Sequence, residues 1–268
     1  MTKSTRRKFL FNSLKVLGVG AIVLWLTKNS ILKWIIQSTN NEGLVMDSAP
    51  KIGDNMCILT SGQGEGPFFI SSPIRRDIVE DRVGKMMNFK MQVLKIPDCT
   101  HVENAIVEIW HCDAEGNYSG YPEEITHDIW KIMMFLKKNS ENIGDNIKPV
   151  SDARYLRGAQ QSDANGMFEF NTIFPGWYEG RAPHIHFKII ANENEQITSQ
   201  FYFKPEFCDD IYLNTEPYKA YGKSPYTIHN DGVIHEDITA VTGLLLNPTM
   251  HNQTIESVVK VGVQSSLS

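Results

Sequence analysis

Period-two alternation of apolar and polar residues dominates the chain. It runs through Phe89-Lys90-Met91-Gln92-Val93-Leu94, Ala105-Ile106-Val107-Glu108-Ile109-Trp110 and Met167-Phe168-Glu169-Phe170-Asn171-Thr172-Ile173, and each run predicts a strand with one face buried. Further strands are predicted over 184–190, 197–204, 233–241 and 257–263. Between strands, Asp163-Ala164-Asn165-Gly166 and Asn230-Asp231-Gly232 supply residues that tolerate positive φ and suit tight reversals. Seven or so short strands need a second sheet to cover their apolar faces. That predicts an all-β, immunoglobulin-like β-sandwich with long loops carrying the functional residues. Residues 127–138 read as a helical turn or an ordered loop, and their methionines as packing material.

The amino-terminal stretch breaks this pattern. Thr5-Arg6-Arg7-Lys8-Phe9-Leu10 precedes an apolar run from Val16 to Leu26, a basic region followed by a short hydrophobic one, as in an export signal of the twin-arginine type. A helical span needs about 20 apolar residues, and this run is shorter. Residues 1–40 are therefore expected to be a twin-arginine-type signal or a membrane anchor, 41–56 a polar linker or arm, and 57–268 the globular domain. An exported, periplasmic location follows, with membrane association through the amino-terminal segment as a variant of it. Cys57, Cys99, Cys112 and Cys208 would then fold in an oxidising compartment, where one or two disulfides are expected and the spacing does not choose the pairs.

Composition narrows the partners. The chain has 26 Lys+Arg against 31 Asp+Glu, a net charge of −5, which gives no general attraction for a phosphate backbone and argues against nucleic acid. Gly62-Gln63-Gly64-Glu65-Gly66 lacks the Lys-Ser/Thr of a phosphate-binding loop.

The densest chemistry lies in Pro175-Gly176-Trp177-Tyr178-Glu179-Gly180-Arg181-Ala182-Pro183-His184-Ile185-His186-Phe187. On a strand, His184 and His186 point the same way, so both imidazoles can meet one metal; alone, such a pair equally describes two packed or surface histidines. Tyr178 lies in a Gly-flanked loop just before that strand. Tyr118, in Gly116-Asn117-Tyr118-Ser119-Gly120, follows another strand, so both tyrosines can reach the same end of a sandwich. Phenol ionises near pH 10 in water, so a tyrosinate ligand at neutral pH demands a strongly Lewis-acidic ion, and ferric iron meets that demand better than zinc or calcium.

With these motifs the chain resembles the intradiol ring-cleavage dioxygenases, the family of catechol and protocatechuate dioxygenases. Glu65-Gly66-Pro67-Phe68-Phe69, Ile109-Trp110-His111-Cys112-Asp113, and the run from Asp163 to Phe187 carry the likeness, which extends from about Gly64 to Val263. The resemblance implies a catalytic β-sandwich holding non-haem Fe(III) through Tyr118 and His184 in equatorial positions and Tyr178 and His186 in axial ones. It also implies that Tyr178 doubles as a base, with Arg181 and Gln200 beside the substrate. Substrate and co-substrate would be a small catechol-type aromatic and O2, and the product a cis,cis-muconate-type diacid. A non-catalytic ligand-binding sandwich and oxidation of a larger phenolic by the same metal site are the alternatives. No long helical region precedes the sandwich, so the protocatechuate-type or exported relatives are the nearer likeness, and a homo-oligomer stays open. Arg75, Arg154, Arg157 and Lys204 are candidates for recognising a substrate carboxylate. Trp110, Trp177, Tyr121 and Phe69 are candidates for a planar pocket or simply for core. His111 is expected to be packed with both ring nitrogens hydrogen-bonded.

Overall fold

The computed structural model describes residues 59–123, 125–139, 147–191, 194–234, 241 and 243–264. Among them run eight strands, β1 (Met86–Ile96), β2 (Ile106–Trp110), β3 (Arg157–Gln161), β4 (Met167–Ile173), β5 (His184–Ala191), β6 (Asn194–Tyr202), β7 (Thr249–His251) and β8 (Thr254–Gln264). Two helices join them, α1 (Ile129–Asn139) and α2 (Pro205–Asn214). The first sheet has the order β4-β1-β8-β7 and the second β3-β2-β5-β6. The second is antiparallel throughout, whereas β1 and β8 pair parallel within the first.

Alternation decides which residues face inward. Met87, Phe89, Met91 and Val93 of β1 are buried, as are Ile185, Phe187 and Ile189 of β5 and Phe201 of β6. The inner faces of the two sheets meet in one apolar core. Phe201 bridges them, its ring 5.5 Å from Phe89 of the first sheet and 4.3 Å from Phe187 of its own. Each aromatic removed from water at this interface contributes about 1.5–3 kcal/mol. Because Ile185, Phe187 and Ile189 take the inner face, His184, His186 and Lys188 must take the outer one.

Three expectations need correcting. The fold is dominated by β-sheet but is not all-β: α2 begins at a Pro-initiated turn, where Pro205 suits the first helical position, and residues 129–139 form a full helix. Val233 and Ile234 lie in a turn, and 235–240 fall outside the described residues. Finally, the membrane association and the exported, periplasmic location do not stand. Among the described residues no helix is long and apolar enough to cross a membrane; the longest, α1, has 11 residues, about 16 Å at the helical rise against a hydrocarbon core of about 30 Å. The stretch 1–40 that suggested the signal, and the linker 41–56, lie outside the described residues. Cys99 is disulfide-bonded, while Cys112 and Cys208 are buried free thiols.

His111 fastens the end of β2 to the opposite sheet. Its Nδ1–H donates to the Cys112 carbonyl at 2.7 Å, and Nε2 accepts from the Thr172 hydroxyl of β4 at 2.6 Å, which assigns the neutral tautomer. Complete burial pushes the imidazole down to about 4 from 6.5, with the nearby Arg157 charge adding and the Cys112 carbonyl opposing. The unfolded chain thus takes up this proton first, so the contribution to stability is whole above pH 6.5 and is lost as pH falls toward 4, by about 3 kcal/mol in all. Denaturant titrations at pH 7 and pH 4.5 should show a smaller acid loss in His111→Asn than in the wild type; equal losses would refute the assignment.

Candidate metal centre

The register of the second sheet sets out the site. Arg157 of β3 stands opposite Trp110 of β2, Trp110 opposite His186 of β5, and His186 opposite Gln200 of β6. These four side chains form one row across the outer face, and His184 opposite Tyr202 begins the next. The Trp110 indole stacks on the His186 ring at 4.8 Å and 6°, which fixes the imidazole plane.

A strap covers this row. Residues 61–72 cross the outer face, and each of the four strands holds them. The Gln63 amide donates to the Thr198 carbonyl at 2.8 Å and Ser199 Oγ to the Ser61 carbonyl at 2.7 Å. Gln200 Nε2 donates to the Gly64 carbonyl at 3.0 Å, Lys188 Nζ pairs with Glu65, Arg157 Nη2 donates to the Phe68 carbonyl at 2.8 Å, and the Ser72 amide donates to Glu108 at 3.0 Å. The strap removes the row from water, so polar atoms beneath it interact at low dielectric.

Two loops bring in the tyrosines, and glycines let them close on each other. A Cβ on Gly176 would stand 2.5 Å from the Ala114 carbonyl oxygen, and one on Gly116, held at φ +87°, would stand 2.5 Å from the Trp177 carbonyl oxygen. No other residue permits this approach. Tyr118, Tyr178, His184 and His186 are consequently all buried, with their polar ends gathered together. His184 Nδ1–H donates to the Ala182 carbonyl at 2.6 Å, leaving the Nε2 lone pair free of a proton. Around that single nitrogen stand His186 Nε2 at 3.0 Å, Tyr178 Oη at 3.1 Å and Tyr118 Oη at 3.3 Å.

One lone pair cannot serve three such partners. Burial holds both imidazoles neutral, their pKa well below the ordinary value, so both offer lone pairs and neither brings a charge. Burial also pushes Tyr178 up to about 12, with the Arg181 charge drawing it back, and raises Tyr118 well above its ordinary range, where Tyr178 adds to the rise. A cation among these four atoms would replace the shared protons and reverse the cost of ionising the phenols. Among the described residues no three His, Cys, Asp or Glu side chains converge, so a metal at this place must accept phenol oxygen with imidazole nitrogen. The donor set fits ferric iron.

Arg181 and Gln200 adjoin the cluster. Arg181 Nη2 donates to Gln200 Oε1 and, at 3.3 Å, to Tyr202 Oη, while Nε pairs with Asp231 Oδ2 at 3.0 Å. Burial opposes the guanidinium charge, but Asp231 and the surrounding tyrosines outweigh it and raise its pKa. Asp231, Tyr202 and Gln63, which accepts from Tyr202 Oη at 2.9 Å, escape the sequence reading. Asp231 is legible there only as part of an Asn-Asp-Gly turn. Of the cations suggested for a substrate carboxylate, Arg75 pairs with Glu80 at 2.6 Å, Arg154 bonds the Ala153 carbonyl at 2.9 Å, and Lys204 reaches Asn247 at 3.3 Å; Arg157 is fully buried. Trp110 is core beneath the site and Trp177 donates to the Gly222 carbonyl at 2.9 Å. Tyr121 and Phe69 pack beside it, on Phe68 and Trp110.

No family model matches the chain. Among solved structures, an intradiol ring-cleavage dioxygenase from Tetranychus urticae superposes with a TM-score of 0.67 at 29% identity, over 78% of this chain and 96% of that one. Among curated proteins, a chlorocatechol 1,2-dioxygenase of Cupriavidus pinatubonensis is 26% identical over 111 residues, 41% of this chain and 40% of the relative. A chlorocatechol 1,2-dioxygenase of Rhodococcus opacus is 24% identical over 187 residues, 60% and 61% of the two chains. The matched stretch thus spans about two-fifths of the length of the first of these curated relatives.

Proposed function

Because this chain is a relative of the intradiol ring-cleavage dioxygenases, we propose that it is a non-haem Fe(III) enzyme that opens a catechol-type ring between its two hydroxyl-bearing carbons. One catechol and one O2 combine, the bond between those carbons breaks, and each becomes a carboxyl carbon of a cis,cis-muconate-type diacid, so both oxygen atoms enter the product. We assign the catalytic unit to 57–268, an immunoglobulin-like sandwich, with 41–56 as its linker. The convergence of Tyr118, Tyr178 and His186 on His184 Nε2 is the observation that carries this reading.

Tyr118, Tyr178, His184 and His186 would hold the iron, which when bound supplies the Lewis acidity that keeps phenolate and catecholate oxygens anionic and prepares the ring for O2. The residues around it have their own work. Tyr178 Oη accepts a catechol hydroxyl proton as the substrate arrives. Arg181, held by Asp231 at 3.0 Å, presents a fixed positive charge to the electron-rich ring, and Gln200 fixes the direction of that guanidinium. The strap 61–72 keeps water from the reacting carbons.

The full chain, purified aerobically and loaded with Fe(III), is expected to show a broad visible tyrosinate-to-iron band that shifts on anaerobic addition of catechol or protocatechuate. Admitting 18O2 should yield a diacid carrying two labelled atoms, read by mass spectrometry. A chain that stays colourless after iron loading would overturn the metal assignment; a coloured chain whose band ignores every catechol would overturn the substrate class.

A further inference from the structure

Among the described residues the site contains two buried guanidinium groups, and only one has a carboxylate. Arg181 is paired with Asp231. Arg157, fully buried on β3, donates Nε–H to Ser119 Oγ at 2.7 Å and Nη2–H to the Ser119 and Phe68 carbonyls at 3.0 and 2.8 Å, and Nη1 has no partner among the described residues. Every one of these acceptors is a neutral oxygen. A buried charge without a counter-charge is strongly unfavourable, so some group near Arg157 should be anionic in the working protein.

Three tyrosines lie around it. Tyr121 Oη donates to the Ile147 carbonyl at 2.8 Å and so keeps its proton. Tyr155 already lies beneath Arg82, 4.5 Å from its ring centroid. Tyr118 remains: the Arg157 Cζ lies over its ring, 6.0 Å from the centroid, and Ser119, which takes two of the three hydrogen bonds, is the next residue. A phenolate spreads negative charge into its ring, so a cation over that ring is drawn to the anion more strongly than to the neutral phenol.

We propose that Arg157 is a positioning residue that supplies the counter-charge for Tyr118 as an anionic iron ligand and, through Ser119 and Phe68, locks the Tyr118 loop to the strap. It acts through Tyr118 and touches neither substrate nor metal. The inference rests on the iron reading above, and its test separates the two.

The full chain and its Arg157→Gln, Arg157→Lys and Ser119→Ala variants are loaded with Fe(III), and two quantities are read: the wavelength of the tyrosinate-to-iron band and iron retention against a ferric chelator. Removing a positive charge from beside the donor ring raises the donor level. The Arg157→Gln band should therefore move to longer wavelength, and iron affinity should fall about tenfold or more. Arg157→Lys, which retains the charge but loses the planar fork, should restore most of the affinity. Ser119→Ala, which keeps the guanidinium but removes an acceptor, should move the band the same way by less, and it decides the matter if the Gln protein does not fold. A wild-type band that Arg157→Gln leaves at the same wavelength and affinity overturns this inference alone, as does an unmoved Ser119→Ala band where the Gln protein is unobtainable. A wild-type chain that develops no band overturns the iron reading and this inference with it.

Discussion

Asp231→Ala is expected to cost about 3–5 kcal/mol of stability and to silence ring cleavage in whatever protein remains folded. Both oxygens of this carboxylate are spoken for. Oδ2 accepts from Arg181 Nε at 3.0 Å and from the Ala182 amide at 2.7 Å, while Oδ1 accepts from the Val233 and Ile234 amides at 2.7 and 3.1 Å. Its side chain is wholly buried. Truncation leaves an uncompensated guanidinium and three amide donors in a site closed to water, and leaving such groups unpaired costs more than forming them gained. Arg181 would also turn away from Gln200 and Tyr202, so the charge proposed to face the substrate would be misplaced even where the sheets survive. Denaturant unfolding at pH 7 measures the first effect and steady-state kinetics on catechol the second. A loss below about 1 kcal/mol, the scale of an exposed pair, would mean that Asp231 is not the partner of a buried charge. Asp231→Asn retains the shape but sets an NH2 group against one pair of N–H donors. It should therefore fall between the wild type and the alanine protein in both measurements.

That arrangement also shows where sequence reading stops. Period two over residues 184–190 was enough to place His184 and His186 on one face, because alternation on a strand is local and Phe187 needs the core. The tyrosine loops were legible for a similar reason, being flanked by glycines that a close turn requires. Asp231 meets Arg181 from 50 residues away, and nothing in an Asn-Asp-Gly turn says which donor its carboxylate will meet. β3 reads Arg-Gly-Ala-Gln-Gln, with no β-branched alternation to mark it, and is a strand because β2 supplies its hydrogen-bonding partner. The row Arg157, Trp110, His186 and Gln200 exists only once four strands are in register. Pairing direction was equally hidden, since the alternation that buries Phe89 and Ile255 is the same whether β1 and β8 run parallel or antiparallel. The helix α2 escaped because Pro-Glu-Phe-Cys-Asp-Asp resembles loop material until Cys208, Ile211 and Tyr212 find the core.

Of the two cluster tyrosines, Tyr178 is the one whose loss should strike turnover rather than metal binding. In Tyr178→Phe, kcat on catechol is expected to fall by about 10²–10⁴-fold, the range for removing a positioned proton acceptor. KM should stay within a few-fold, and iron should be retained in large part. Tyr118→Phe should instead lose the metal to a chelator. The two phenols stand at similar distances from His184 Nε2, 3.1 and 3.3 Å, so distance does not separate them; their surroundings do. Tyr118 is 1% exposed and lies beneath Arg157, whereas Tyr178, 6% exposed, sits on a tight turn that its own carbonyl closes by accepting from the Arg181 amide at 3.3 Å. Burial raises both phenols and the Arg181 charge draws both back, but Tyr178 rises only to about 12 while Tyr118, which the neighbouring Tyr178 pushes further, stays well above its ordinary range; the less costly phenol to ionise is thus the one proposed to exchange a proton as substrate enters. Phe fills the same space, so folding should be little affected. The check is a joint measurement of kcat, KM and bound iron for both variants. If Tyr178→Phe turned over within tenfold of the wild type, the incoming catechol would have to lose its proton to something other than this tyrosine, and the roles of the two phenols would have to be redrawn.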